Sequence, residues 1–254
     1  MSITSHKFSM SLPQLTFLLD KIHDLIAIDN EVLIKIDKGN LLLYSLVGEK
    51  KNVNAFKSYI FKTDEVFSFY EPLEKEMRFI IINGSKFEGT LKNYLDFNED
   101  LECEFFMSDD TYSDNLKLKN SNLRLSIGGG DVRGMNTTID VEQIKKTMNI
   151  DNIDFQFVLD KNSYTKIKKI ASIDNENDIL MLNIENNKLT IGEGNSWDLN
   201  ICDIEHEDLS ITFPKKYFKS ITFTEDEIIV YVFDTFLLVD NKNTSLLIAL
   251  ELTV

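Results

Sequence analysis

The stretch FPKKYFKSITF, residues 213–223, places Lys215, Lys216 and Lys219 within five positions of a chain whose formal net charge is −15. Tyr217, Phe218 and Ile221 interleave with them, and Pro214 stands where a helix could open. A second cluster, Lys161, Lys166, Lys168 and Lys169, lies in KNSYTKIKKIASI. A lysine ammonium is a point charge on a flexible stem, suited to a phosphate oxygen but unable to read a base edge on its own. Lysines gathered locally in an acidic chain therefore imply a basic face for a polyanion, with binding that is sequence-independent and salt-sensitive.

Other chemistries are poorly served. The three histidines, His6, His23 and His206, have no metal-ligand spacing. IGGGDVRG (127–134) and IGEGN (191–195) are glycine-rich but lack the lysine and hydroxyl of a phosphate loop, so each reads as turn or linker. SDDTYSDN (108–115) clusters acids without the alternating ligands and central glycine of a calcium loop, and reads as a solvated hairpin tip. No acid pair stands out as a glycosidase site. No catalytic residue, cofactor or metal is expected.

Cys103 and Cys202 lie in apolar stretches and read as buried thiols in a reducing cytosol. No apolar run reaches the ~18 residues of a membrane span. MSITSHKFSM lacks the apolar core of a signal peptide. The expectation is a cytoplasmic protein with no membrane partner.

The elements that must position the lysines are mostly strands. Runs such as NEVLIKID, MRFIIIN, LECEFFM, DILMLNIE and EIIVYVF are rich in β-branched and aromatic residues and bounded by Asn, Asp or Gly. IKIDKGNLLL and LNIENNKLTI read as hairpins. Four segments carry helical spacing instead: 12–28, 85–95 with Ser85 as its cap, 161–173 and 214–221. Together these 49 residues hold ten lysines against three acids, a net of +7 that leaves −22 for the other 205 residues. Solvated helix faces are usually charged, but they normally mix both signs.

The elements fall into a twofold order of strand, helix, strands, helix, strands. The expected domains are 1–127 and 154–254, joined by a connector, 128–153, with a short helix from Asp140 through Met148. The fold class is α+β, with antiparallel sheets outside and two helices per domain inside.

This arrangement resembles the DNA polymerase sliding clamps, and in FVLDKNSYTKIKKIASIDNENDILMLNIENNKLTIGEG and EIIVYVFDTFLLVDNKNTSLLIALEL it is most similar to the trimeric clamps of large contractile-tailed phages. The resemblance implies a homotrimeric ring around duplex DNA that tethers a DNA polymerase and is opened by a clamp-loader ATPase. It implies that Lys21, Lys86, Lys92, Lys166, Lys168, Lys169, Lys215, Lys216 and Lys219 line the hole. It implies a subunit interface of Leu123, Leu125 and Ile127 against Leu199 and Ile201 of the next copy, which proline at Leu125 would disturb. Partner peptides would dock near Ile150, Ile153, Leu250, Leu252 and Val254. Two other readings stand beside it: a β-rich structural or adhesion protein of a virion, and a monomeric DNA-bound processivity factor.

Overall fold

The computed structural model describes residues 5–49, 52–71, 73–108, 111–130, 153–173, 177–194, 196–241 and 243–252. The chain forms two compact units, Met1–Lys50 with Lys57–Thr138, and Lys51–Phe56 with Ile139–Val254. The expected connector helix, Asp140 through Met148, lies outside the described residues.

The first unit opens with β1 (Ser5–Met10), α1 (Leu12–Ile26), β2 (Val32–Asp37), β3 (Asn40–Glu49) and, from Lys57 on, β4 (Asn52–Lys62), whose first residues through Phe56 count with the second unit. It continues with α2 (Thr63–Val66), β5 (Phe69–Tyr70), β6 (Met77–Ile81), α3 (Gly84–Lys92), β7 (Leu101–Met107), β8 (Tyr112–Lys119) and β9 (Arg124–Gly128). Its strands run β4-β3-β2-β6-β8-β7-β1-β5, with β9 added to β8. Of these pairings, β1–β5, β1–β7, β2–β3, β2–β6, β7–β8 and β8–β9 are antiparallel, and β6–β8 is parallel through Arg78↔Tyr112 and Phe79↔Ser113.

The second unit holds β10 (Phe155–Asp160), α4 (Lys161–Ile170), β11 (Ile179–Glu185), β12 (Lys188–Gly192), β13 (Asp198–Asp203) and β14 (Leu209–Pro214). Then come α5 (Lys215–Phe218), β15 (Glu227–Val232), β16 (Phe236–Asn241), β17 (Thr244–Ala249) and β18 (Glu251–Leu252). Here β10-β15-β16-β17 form one run and β13-β12-β11-β14-β18 a five-stranded sheet.

The expected twofold order is present, and its turns explain why. The β2–β3 hairpin closes through Lys38 and Gly39, with φ of 47° and 78°, and the β11–β12 hairpin through Asn186 and Asn187, at 51° and 62°. Two successive residues at positive φ make the turn whose twist matches paired strands, and Gly and Asn tolerate that region best. Each half thus carries the same hairpin after its first helix.

The helices fold for local reasons. Ser11 donates its backbone N–H to Gln14 Oε1 at the start of α1, and Pro13 occupies the first turn, where a missing N–H costs little. Asp160 caps α4, its carboxylate accepting the N–H groups of Asn162 and Ser163 at 2.9 Å. The hydrogen bonds from the Ser163 side chain and from these amides hold its carboxyl below the usual aspartate range. The cap of α3 is Asn83, which accepts from the Lys86 N–H at 2.9 Å, and not Ser85, whose hydroxyl donates to Asn30. Leu15, Leu18, Leu19, Ile22 and Leu25 of α1 and Phe87 and Leu91 of α3 bury against Phe8, Met10, Leu116 and Leu118 of the sheet.

Of the two thiols, Cys103 is buried, and burial pushes its pKa up to about 12. Cys202 is half-buried at the edge of its sheet, short of the full burial expected.

Candidate nucleic-acid interface

Nine lysines carry the polyanion hypothesis, and their side chains divide sharply. Lys166, Lys168 and Lys169 of α4 are exposed, as is Lys216 of α5. Two of them lie on aromatic rings: Lys168 Nζ is 5.8 Å from the Tyr164 ring centre and Lys216 Nζ 4.5 Å from that of Tyr217. Rings and stems pack while the ammonium groups stay in water. Lys161, at the first turn of α4, is exposed too and was not among the nine.

Lys219 is half-buried and donates to the carbonyl of Ala171, the C-cap of α4, at 3.2 Å. A cation there meets the negative end of the helix. Tyr164 reinforces the junction, its hydroxyl lying 2.8 Å from the carbonyl oxygen of Lys219 and 3.1 Å from that of Ile221.

Lys215 does not belong with the exposed group. Its side chain is 5% exposed, and its Nζ donates to Glu193 Oε1 at 2.8 Å, with Glu193 at 0%. The cause is local. Lys215 follows β14 directly, its N–H donating to the Asp178 carbonyl, so its side chain enters the core beside β12. Gly192 permits this: a Cβ there would sit 2.1 Å from the Trp197 carbonyl oxygen, so only glycine lets the chain double back and bring Glu193 inside. An ammonium so enclosed cannot reach a phosphate.

In the first unit, Lys86 is exposed. Lys21 is half-buried, its Nζ 5.1 Å from the Phe17 ring centre and 5.3 Å from that of Tyr59. Lys92 pairs one turn back with Glu88 at 2.6 Å, and His23 Nδ1 of α1 lies 3.1 Å from the same Glu88 oxygen. Burial raises the Glu88 carboxyl, but hydrogen bonds and charge from Lys92 and His23 outweigh it and leave it below the usual glutamate range.

The interface candidates lie on sheet margins. Among the described residues β9 pairs only with β8, and β13 only with β12, so each presents an open edge in its own unit. Leu123, Leu125 and Ile127 are half-buried against the first unit's core. Beside them a groove of about 490 Å³ runs between β9 and α3, lined by Ile82, Phe87, Thr90, Leu125 and Ile127. Ile82 is 61% exposed, unusual for so apolar a side chain at the end of a core strand. On β13, Leu199 and Ile201 are half-buried, and Ile201 falls at a register shift.

No family model matches the chain, and no curated protein matches it by sequence. Solved structures do. The proliferating cellular nuclear antigen of Entamoeba histolytica aligns over 98% of this chain and 99% of its own, with a TM-score of 0.64 at 15% identity. The A. fulgidus PCNA, bound to the C-terminal region of FEN-1, aligns over 98% of both chains, with a TM-score of 0.62 at 13% identity. The Pseudomonas aeruginosa DNA polymerase sliding clamp gives 0.68 at 14% identity over 97% of this chain and 66% of that one.

The fold is that of the sliding clamps. The chain spans the whole of the two antigen chains but about two thirds of the bacterial clamp chains.

The clamp fold leaves the candidate partner-binding residues unevenly described. Ile150 and Val254 lie outside the described residues. Ile153 and Leu250 are half-buried, and the Leu250 N–H donates to the Thr235 carbonyl at 2.9 Å. Leu252 belongs to β18, which closes one edge of its sheet through Ile211↔Leu252 and Thr212↔Glu251.

Sequence reasoning missed the acids that set which lysines are available. Glu193 lies in a stretch read as a turn, and only its position after an invaginating glycine hinted otherwise. Asp24 accepts from Lys57 of β4 at 2.5 Å and also from the Tyr59 hydroxyl. A lone lysine between Phe56 and Tyr59, with alternation favouring the core, was the available signal for Lys57.

Proposed function

We propose that the protein is a DNA sliding clamp: a closed ring that encircles duplex DNA and tethers a DNA polymerase for processive synthesis. The clamp fold over the whole chain carries this reading, and the exposed lysines of α4 and α5 give it a physical mechanism. Point charges on flexible stems offer many weak phosphate contacts, so the protein slides without reading sequence. The protein acts by binding, without catalysis. No helix among the described residues is long and apolar enough to cross a membrane.

The assembly we propose is a homotrimer of two-domain subunits, 1–127 and 154–254 with the connector 128–153, like the clamps of large contractile-tailed phages acting in the infected cell's cytoplasm. The open edges of β9 and β13, each with half-buried apolar residues, support a head-to-tail contact that extends a sheet across the boundary. Unpaired edges attract strands, and a ring satisfies them without free ends. A clamp-loader ATPase would open it. No observation favours the virion reading.

The test is reversal of charge. Lys169→Glu with Lys216→Glu should reduce primer extension on a long template, with polymerase and loader present, on the order of ten-fold at physiological salt. Light scattering should give the same mass as the parent. Extension equal to the parent's at every salt concentration would make these lysines a solvated face.

Partner peptides would dock beside the connector and the C-terminal strand. Removing residues 250–254 should abolish polymerase stimulation and leave the trimer intact, since β9 and β13 are untouched. Stimulation at the parent's level would put the docking site elsewhere.

A further inference from the structure

We infer that the phosphate contacts are made by the second unit's helices, and that the first unit's helix pair is built charge-balanced, with Glu88 holding Lys92 back. The inference deepens the clamp reading and rests on it. The contrast lies in what surrounds each lysine, not in their number alone.

In the second unit, α4, α5 and the adjoining Lys219 contain seven lysines and no acid. Lys215 is spent on Glu193 and Lys219 on the end of α4. Lys161, Lys166, Lys168, Lys169 and Lys216 remain exposed.

In the first unit, α1 and α3 carry Lys21, Lys86 and Lys92 against Asp20, Asp24 and Glu88. Glu88 is 11% exposed in its side chain, yet it stays ionised through Lys92 at 2.6 Å and His23 at 3.1 Å. It is thus a buried negative charge placed under two side chains that remain exposed, Lys92 at 55% and His23 at 75%, so it offsets their charge without hiding them. Asp24 is occupied by Lys57, whose side chain is fully buried, and by Tyr59. An ammonium in contact with a carboxylate presents a dipole, whose field falls faster with distance than that of a free charge. At ~0.15 M salt the Debye length is about 8 Å, so a phosphate beyond first contact sees little of such a pair. Lys86 on α3 and Asp20 on α1 are both exposed, so the exposed remainder of the two helices still carries both signs.

Salt dependence counts engaged phosphates directly: log affinity falls with log salt with a slope of about −0.9 for each neutralised phosphate. The probe is a fluorescent 30-base-pair duplex of mixed sequence, titrated with the full-length protein by anisotropy across a sodium chloride series. Lys166→Ala with Lys169→Ala should flatten the slope by about one for each lysine engaged. Lys21→Ala with Lys86→Ala should leave slope and affinity at the parent's values. Glu88→Gln keeps the shape and removes the charge, so it should free Lys92 and steepen the slope by about one. Thermal melting accompanies each variant, and all five positions should melt near the parent.

Equal flattening by the two lysine pairs overturns the inference, as does a Glu88→Gln variant that binds the duplex no more tightly than the parent at the lowest salt. A parent protein without any salt-dependent binding to the duplex takes the clamp reading itself down, and this inference with it.

Discussion

Lys215→Met should be the most destabilising single substitution in the second unit, at a cost of about 3–5 kcal/mol, because it strands a buried carboxylate. The side chain of Glu193 is 0% exposed, and its Oε2 has no hydrogen-bond partner among the described residues, so the charge depends on Lys215 through Oε1. Chemical denaturation should show a lower midpoint with an unchanged slope. Adding Glu193→Gln to Lys215→Met should recover a large part of the loss, since no charge is then left buried. By contrast, Lys216→Met, one residue along on the exposed side of α5, should change stability by less than about 0.5 kcal/mol. A Lys215→Met protein as stable as the parent would mean that the pair opens to water in solution. In the parent, Lys215 would then count with the exposed lysines.

The Lys215 pair also marks the boundary of what the sequence makes legible. Local rules worked where the deciding interaction was local. Asn186–Asn187 and Lys38–Gly39 announced their hairpins because the turn itself demands positive φ. The apolar faces of α1, α3 and α4 announced their helices through three- and four-residue steps, with C-terminal ends two or three residues short of the expected bounds. The stretch 214–221 shortened to a four-residue α5, since Ser220 and Ile221 close it with tight turns back to Tyr217 and Phe218.

Side-chain fate was another matter. Lys215 and Lys216 are neighbours with identical chemistry, and only the approach of Glu193, 22 residues earlier, separates a core ion pair from a surface charge. Lys92 and Lys86 have identical chemistry on one helix, but Lys92 alone pairs with Glu88, on which His23 of α1 also converges. Counting lysines on helices finds where positive charge concentrates along the chain. Deciding which of them are free requires knowing where the acids of other elements arrive.

Register decides the remaining expectation, the proline that should open the ring. Asn120 donates its N–H to the Leu123 carbonyl at 3.0 Å, which makes these two a hydrogen-bonded pair at the head of the β8–β9 hairpin. Pairs alternate along an antiparallel ladder, and the register runs Lys119↔Arg124, Leu118↔Leu125, Lys117↔Ser126. Leu118↔Leu125 is therefore a hydrogen-bonded pair, and the Leu125 N–H faces β8, not the open edge. Proline at Leu125 would damage the subunit's own sheet. The outward N–H groups belong to Arg124 and Ser126, and Ser126 is exposed. Ser126→Pro removes one donor from the open edge and adds ring bulk where a neighbouring strand must pair; the backbone bonds to β8 survive, and only the Ser126 hydroxyl's bond to Asn115 Oδ1 at 2.8 Å is lost. Light scattering at micromolar concentration should find the parent as a trimer and Ser126→Pro as a monomer with a melting temperature near that of the parent's subunit. Leu125→Pro should instead lower the melting temperature itself. A Ser126→Pro protein that remains trimeric would exclude β9 as the strand through which the ring closes.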